Sequence, residues 1–183
     1  MASSDIVTPA LQTYSIMAAT LAATLAAGTN LATTVVFLPV LRPSSQANLA
    51  TQWQTLFDSG ITPVVTLAMT SATGFAILAY RATSTIDAAT GAVSHAKRNL
   101  YIGAAVMAFS LGPFTQIMLG ATNAELSRRA KLGGKEGFKG THELVERWGR
   151  LNLARGCLVL VGAGLGLWAS VDRLHSTLLI WRF

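Results

Sequence analysis

Three side chains in the last third of the chain have the types and the spacing of a chemical site. If the segment that starts at Leu144 is helical, Trp148, Asn152 and Arg155 follow it by 4, 8 and 11 residues and share one helix face. This face combines an aromatic ring, an amide and a permanent cation, and it leads into a long apolar segment. A guanidinium there needs a polar cavity, an anionic partner or a route to the membrane interface. We therefore expect the chemistry of the protein to be centred on these residues.

A second polar stripe lies on an earlier apolar segment. Pro113, Gln116, Gly120 and Asn123 fall at helical offsets 0, 3, 7 and 10, so they also share a face. The proline must bend the helix and release a backbone carbonyl, which the bilayer tolerates only where neighbours or a cavity satisfy it. This stripe is therefore expected to face the interior of a bundle. Asn30, in the first apolar segment, is expected to form a hydrogen bond between helices or to contact a substrate.

Together these stripes predict a polar pocket between helices. Its donors would be Asn123, Asn152 and Arg155, and its aromatic walls would be Trp148 and Phe114. Arginine and amide donors bind oxygen atoms, and aromatic side chains pack against flat rings. Such a pocket suits a flat aromatic ligand that carries phenolic or carbonyl oxygens.

Composition indicates that these elements lie in a membrane. Of the 183 residues, 51% are hydrophobic and only 12% are charged, whereas an ordinary soluble domain has roughly 25% charged residues. We expect an all-α integral membrane protein, a four-helix bundle that forms a single domain over residues 1–183. A short amphipathic helix is expected before the fourth span. The spans are expected at residues 14–41, 61–81, 99–122 and 152–172.

Charged residues and prolines predict where the first two spans begin and end. Arg42 and Pro43 end the first span, because a charge favours the interface and a proline disfavours helix in the residue before it. The residues from Gly60 to Pro63 are expected to open the second span, with the proline in the first turn. Trp53 and Phe57 precede them on one side of a predicted short helix, as an interfacial anchor or as a lid over a cavity.

The net charge of +6 is concentrated on one side of the predicted bundle. Nine of the fourteen lysines and arginines lie at Arg42 and between Glu125 and Arg155. A basic connection beside membrane spans faces anionic head groups, so we expect contact with membrane lipid and none with nucleic acid. The positive-inside rule makes this side cytoplasmic.

Common catalytic motifs are missing from the sequence. His95, His142 and His175 lie in three different segments without the spacing of metal ligands. There is no nucleophile elbow, dinucleotide fingerprint or phosphate-binding loop, so hydrolysis and hydride transfer have no support. His142 and Glu146 are four residues apart, which is typical of a hydrogen-bonded pair on a helix surface. The alternative is that His142 is a catalytic base.

A set of motifs between Pro113 and Arg155 points to a known family. The motifs are Gly112-Pro113-Phe114-Thr115, Thr122-Asn123-x-x-Leu126 and Leu144-Val145-x-x-Trp148-x-x-x-Asn152-x-x-Arg155. On a small four-span chain, this pattern resembles the anthrone oxygenase family of fungal aromatic polyketide pathways. The likeness covers most of the chain, from the region of Gly28 to the fourth span.

The resemblance implies the oxidation of an anthrone, such as emodin anthrone, to the anthraquinone. Molecular oxygen would be the co-substrate, and no cofactor or metal would be needed. Arg155, Asn152 and Asn123 would stabilise the oxyanion and then the peroxide. His142 would remove the proton, since its unperturbed pKa suits neutral pH.

For such a reaction, the residues of the predicted pocket are expected to bind the substrate. Trp148 and Phe114 would sandwich the rings, and Gln116 and Asn30 would contact the polar groups. Anthrones dissolve poorly in water, so the substrate is expected to reach the site through the bilayer. The membrane of the endoplasmic reticulum or of a vesicle is the expected location.

Two alternatives remain open at this point. The first is a non-catalytic four-span protein, a scaffold or packing subunit that holds other enzymes at a membrane. The second is a membrane oxygenase whose metal or haem is held by His142 and another histidine. Self-association of the chain is also left open.

Overall fold

Four long helical stretches form the fold. The computed structural model describes residues 4–82, 85–86, 93–133 and 139–180, with side chains described for residues 11–82, 94–133 and 139–171. The α-helices are α1 (Ser4–Ala32), α2 (Leu38–Leu41), α3 (Gln46–Arg81), α4 (Ala96–Phe109), α5 (Leu111–Phe114), α6 (Gly120–Leu132) and α7 (Thr141–Ile180). π-helical turns at Thr33–Phe37 and Thr115–Leu119 join α1 to α2 and α5 to α6. The strands β1 (Thr85–Ile86) and β2 (Val93–Ser94) pair antiparallel between α3 and α4.

Each of the four stretches is long and apolar enough to cross a membrane. They are Leu11–Leu41, Gln46–Arg81, Ala96–Leu132 and Thr141–Val171. Large apolar side chains such as Tyr14, Val40 and Trp168 point away from the protein interior, as expected for helices surrounded by lipid. The predicted all-α, four-span membrane fold is confirmed.

The second stretch begins earlier than the sequence predicts. Ser45 caps α3 by accepting a hydrogen bond from the backbone N–H of Asn48 at 3.4 Å. Trp53 therefore lies in the same helix as Pro63, so the segments predicted as a short helix and as the second span form one continuous helix. The cap and the buried side chains of the first turns outweigh the single backbone hydrogen bond that the proline removes.

The third stretch is irregular around its proline, as the sequence predicts. α4 ends at Phe109, whose carbonyl cannot receive a backbone hydrogen bond from Pro113. Ser110 Oγ donates to the Met107 carbonyl, and Thr115 Oγ1 donates to the Leu111 carbonyl, both at 2.7 Å. These hydroxyls satisfy backbone oxygens where the helical pattern changes, and the chain then continues through a π-helical turn.

The fourth stretch is one continuous helix. The segment predicted as a separate short helix is the first part of α7, which runs for 40 residues. It contains no proline, and all of its glycines except Gly164 lie where other helices come close. A side chain at Gly149 would collide with Leu38, and one at Gly156 would meet Asn30. The glycines therefore permit close packing of α7 against the first stretch without ending the helix.

Two apolar clusters lie on either side of the polar centre. The first joins the alanine stripe of α1 to α3, α4 and α7 through Ala23, Phe75, Tyr101 and Val159. This stripe consists of Ala19, Ala23 and Ala27, which are spaced four residues apart and are buried. The second cluster lies nearer the polar first turns of α7 and contains Leu38, Leu49, Trp53, Leu119, Leu126, Val145 and Trp148. Between these clusters, α1 and α7 bring their polar residues together.

Candidate active site

The guanidinium of Arg155 is held by three neutral oxygen atoms from different parts of the fold. One terminal nitrogen donates to Thr115 Oγ1 at 2.9 Å. The other donates to Asn30 Oδ1 at 2.5 Å and to Asn152 Oδ1 at 2.7 Å. The Nε atom is buried and has no hydrogen-bond partner within the described parts of the chain. Three of the five N–H groups of the guanidinium are therefore used, and two make no hydrogen bond with the described residues.

The two asparagines are fixed so that their oxygens face the arginine. Asn152 Nδ2 donates to the Asn30 carbonyl at 2.8 Å and to Thr34 Oγ1 at 2.9 Å. Asn30 Nδ2 donates to the Ala26 carbonyl at 2.8 Å. Both side chains are almost fully buried, at 1% exposure for Asn152 and 2% for Asn30. Because each amide nitrogen is engaged elsewhere, each amide oxygen is available to the guanidinium.

No carboxylate balances this cation within the described ranges. The ion pairs found there join Arg42 to Glu146 and join both Arg128 and Arg129 to Glu125. A cation in a membrane span is costly, and cations at such places are typically functional. The three neutral acceptors reduce this cost without neutralising the charge. The arrangement therefore retains the capacity to bind an anion.

A pocket of about 210 Å³ adjoins Arg155. Its polar wall is formed by Arg155, Asn152, Asn30 and Thr115, and Phe57 and Trp148 contribute aromatic rings. The remaining lining is mostly apolar or small, with exposed residues at Thr29, Ile61, Val65, Gly112 and Gln116. The cavity, named here the Arg155 pocket, thus opens on the outer surface of the bundle.

Three aromatic side chains support the pocket. The ring of Trp148 meets that of Trp53 edge to face, with centroids 5.7 Å apart and an interplanar angle of 88°. Trp53 also stacks on Phe57, with centroids 5.1 Å apart. Edge-to-face and stacked pairs stabilise a fixed arrangement of rings. The indole Nε1 atoms of Trp53 and Trp148 are buried without a hydrogen-bond partner among the described residues.

Comparison with protein families decides which group this chain belongs to. The model of the anthrone oxygenase family matches residues 53–165, which is more than half of the 183 residues. The chain belongs to the anthrone oxygenase family. The match includes Trp148, Asn152, Arg155 and Thr115, whereas Asn30 precedes it. No curated protein and no solved structure matches the chain in the corresponding searches.

Five of the residues predicted for the site line the Arg155 pocket of this anthrone oxygenase family member. They are Asn30, Gln116, Trp148, Asn152 and Arg155. Phe114 instead packs against the apolar cluster around Leu119. Asn123 does not line the pocket either, and its Oδ1 atom is buried without a partner among the described residues.

His142, predicted as the general base, lies away from the Arg155 pocket. Its Nε2 atom is 3.2 Å from the Arg42 carbonyl oxygen, and it lines a second cavity with Glu146. Arg155 lies thirteen positions after His142 in one continuous helix, which corresponds to about 20 Å along the axis. The structure therefore does not bring this imidazole to the guanidinium.

Three residues of the site were missed or underestimated by sequence reasoning. Thr34 follows Asn30 by four residues, and this helical spacing was a usable signal. Thr115 ends one of the quoted motifs and proves to be a partner of Arg155. Phe57 was predicted as an anchor or a lid, and it lines the pocket.

Within the described part of the chain, no group of three or more His, Cys, Asp or Glu residues is arranged to hold a metal ion. The side chain of His175 and the terminal residues Trp181, Arg182 and Phe183 lie outside that part.

Proposed function

We propose that this protein oxidises an anthrone to the corresponding anthraquinone with molecular oxygen, and that the reaction takes place in the Arg155 pocket. Membership of the anthrone oxygenase family supports an oxygenase. The observation that carries the proposal is the guanidinium of Arg155, which is held by three neutral acceptors and has no carboxylate partner among the described residues. A site with an unbalanced cation and aromatic walls suits an anion that forms on a flat aromatic substrate.

The first step is the loss of a proton from the central methylene of the anthrone. The product is an aromatic, phenolate-like anion whose charge rests largely on oxygen. We propose that the N–H groups of Arg155 bind this oxygen, with Asn30 and Asn152 holding the guanidinium in place. One fixed donor of this kind stabilises a developing oxyanion by about 2.7–4 kcal/mol, which corresponds to a roughly 100- to 1000-fold effect on rate.

The second step is the reaction of the anion with oxygen. The anion passes one electron to O₂, and the resulting radical pair combines to form a carbon–oxygen bond at the former methylene carbon. The peroxide takes up a proton. Loss of the remaining hydrogen on that carbon, as a proton, breaks the O–O bond and releases water. The methylene group and O₂ thus yield a carbonyl group and H₂O, so no external reductant is required.

The route of the first proton follows from the lining of the pocket. No histidine or carboxylate is among the residues found to line the Arg155 pocket in the described structure. We propose that water or hydroxide in the pocket accepts the proton, while Arg155 makes the anion more stable. His142 would then act in neither step directly.

The shape and surroundings of the pocket support a substrate that arrives from the bilayer. Its volume of about 210 Å³ is below the ~300 Å³ typical of pockets that enclose a drug-sized ligand. We propose that the reacting end of a three-ring anthrone enters between Phe57 and Trp148. The remaining ring would lie in the opening beside Ile61 and Val65, against lipid. The proposed location is an internal membrane such as that of the endoplasmic reticulum or a vesicle.

The test is oxygen uptake and anthraquinone absorbance with emodin anthrone under air. Purified protein, treated with a chelator, is compared with Arg155→Gln, and the spontaneous oxidation rate is subtracted. Arg147→Gln is the matched control, because Arg147 is an exposed cation of α7 that does not line the pocket.

Rapid turnover that is lost only in Arg155→Gln supports the proposal. A folded wild-type protein with no rate above the spontaneous background contradicts it and favours a non-catalytic membrane protein. Activity that disappears after chelation and returns with a metal contradicts cofactor-free oxidation.

A further inference from the structure

A second cavity lies between the end of the first helical stretch and the first turns of α7. It has a volume of about 290 Å³. Its charged or titratable lining consists of Arg42, His142, Glu146 and Arg150. We name it the Arg42 cleft. It does not contain Arg155, and it shares with the hydrogen-bond network around Arg155 only Thr34, which accepts from Asn152 on the other side of α7 from the charged residues of the cleft.

The Arg42 cleft changes from polar to apolar along its length. Arg42 follows the last residue of the first membrane-spanning stretch, and His142 lies one residue inside the start of α7. Leu38 and Leu153 line the cleft farther along the same helices. From His142 to Leu153 is about 16 Å along the axis of α7. One end therefore coincides with the ends of two stretches able to cross a membrane, and the other lies among apolar residues.

The charges of the cleft are not balanced. Arg42 and Glu146 approach to 3.5 Å, with side chains 66% and 50% exposed. Such an exposed pair contributes little stability. Arg150 is exposed and forms no ion pair within the described ranges. Two guanidinium groups thus face one carboxylate, which leaves a net positive charge beside a bilayer surface.

We propose that the Arg42 cleft binds the phosphate group of an anionic phospholipid. Guanidinium groups bind phosphate with paired hydrogen bonds, and they are the side chains best suited to this task. Basic pockets at the interfacial end of membrane helices attract anionic head groups. The first acyl carbons would lie against Leu38 and Leu153. The head group and the acyl chains of one lipid would thus contact the polar and the apolar end of the cleft.

The ion pair between Arg42 and Glu146 predicts opposite effects on lipid binding for variants of the acid and of the base. A bound phosphate competes with Glu146 for Arg42, because both anions use the same guanidinium. Removing the charge of Glu146 therefore strengthens lipid binding, whereas removing the charge of Arg42 or Arg150 weakens it. A general attraction between a basic protein and an anionic membrane would depend much less on these particular residues.

The experiment counts bound lipid on the full chain in neutral detergent by native mass spectrometry. The probes are dioleoyl phosphatidylglycerol and dioleoylglycerol, which has the same acyl chains and no phosphate. Arg42→Gln and Arg150→Gln are each expected to lower the apparent affinity for phosphatidylglycerol about tenfold, as for a lost charge-assisted hydrogen bond. Glu146→Gln is expected to raise it. Arg147→Gln, an exposed neighbour outside the cleft, is expected to leave it unchanged.

Each other outcome overturns the proposal. Equal retention of dioleoylglycerol shows that the cleft binds acyl chains only. Displacement of the lipid by millimolar inorganic phosphate shows a site for the free ion. An effect of Arg147→Gln as large as that of Arg150→Gln shows general charge attraction. If an arginine variant fails to fold, as judged by circular dichroism, a failure of Glu146→Gln to increase binding is sufficient to reject the proposal.

Discussion

The Asn30 and Asn152 side chains donate to other groups and both accept from one nitrogen of Arg155. Asn152 Nδ2 also donates to the backbone carbonyl of Asn30 at 2.8 Å, which links α1 to α7 across 122 positions of sequence. Two helices are thereby joined at the cation itself. Changes at either amide should therefore affect the charge of the pocket and the helix packing together.

Asn30→Asp should reduce anthrone oxidation by more than tenfold while the protein remains folded. The new carboxylate would lie beside the guanidinium of Arg155 and neutralise the charge that the substrate anion needs. Steady-state oxygen uptake measures the effect. Asn48→Asp adds the same charge at an exposed position of α3 and should leave the rate unchanged. A wild-type rate in Asn30→Asp would contradict the role of the cation.

Arg155→Lys should keep the charge but lose most of the activity. An ammonium group is a point charge and cannot reproduce the planar set of N–H groups that reaches Thr115, Asn30 and Asn152 together. We expect kcat to fall roughly 10- to 100-fold, since fixed donors act mainly in the transition state. Separate kcat and KM values for emodin anthrone test this. A change in KM alone would indicate that Arg155 binds the substrate without promoting the reaction.

Trp148→Phe should be tolerated, and Trp148→Ala should not. The indole N–H of Trp148 has no partner among the described residues, so phenylalanine loses no hydrogen bond there. Alanine removes the ring that contacts Trp53 in a buried cluster, and such a truncation costs about 3–5 kcal/mol. Thermal unfolding in detergent distinguishes the two variants. Equal stability of both would show that the aromatic cluster does not support the fold.

Gly162→Ala should destabilise the protein, whereas Gly164→Ala should not. A methyl group at Gly162 would press against the Met107 side chain and the Ala104 carbonyl, which belong to α4. Overpacking of this kind costs about 1–3 kcal/mol. A methyl group at Gly164 meets open space, and alanine is a better helix former by about 0.5–1 kcal/mol. The difference between the two unfolding temperatures is the quantity to measure, and a difference near zero would contradict the packing of α7 on α4.

Hydropathy was sufficient to predict four membrane-spanning helices, because long uncharged runs have few alternatives in a chain of this length. Helix ends were harder to place. Pro63 resembled a helix start and proved to be inside α3, because the cap at Ser45 and the packing of Trp53 extend that helix. The charged first turns of α7 likewise suggested a separate element, although the helix is continuous.

The face of Trp148, Asn152 and Arg155 could be predicted because α7 keeps one regular period. That Gln116 and Asn123 lie on different faces could not be predicted. Gln116 lies inside the π-helical turn Thr115–Leu119, and Asn123 follows it. One additional residue in a turn rotates everything after it by about 100°. Gln116 therefore reaches the pocket, and Asn123 does not. The sequence pattern contains no clear signal for such a turn.

The Arg155 pocket opens outward beside the exposed residues Ile61 and Val65. This opening determines which substrate concentration controls the filling of the pocket. A site that fills from the bilayer responds to the number of substrate molecules per lipid rather than to their number per litre of solution. Under the proposed function, adding lipid at a constant amount of anthrone should dilute the substrate in two dimensions and lower the rate, although the bulk concentration has not changed. The membrane around the protein would thus act as the solvent of the substrate.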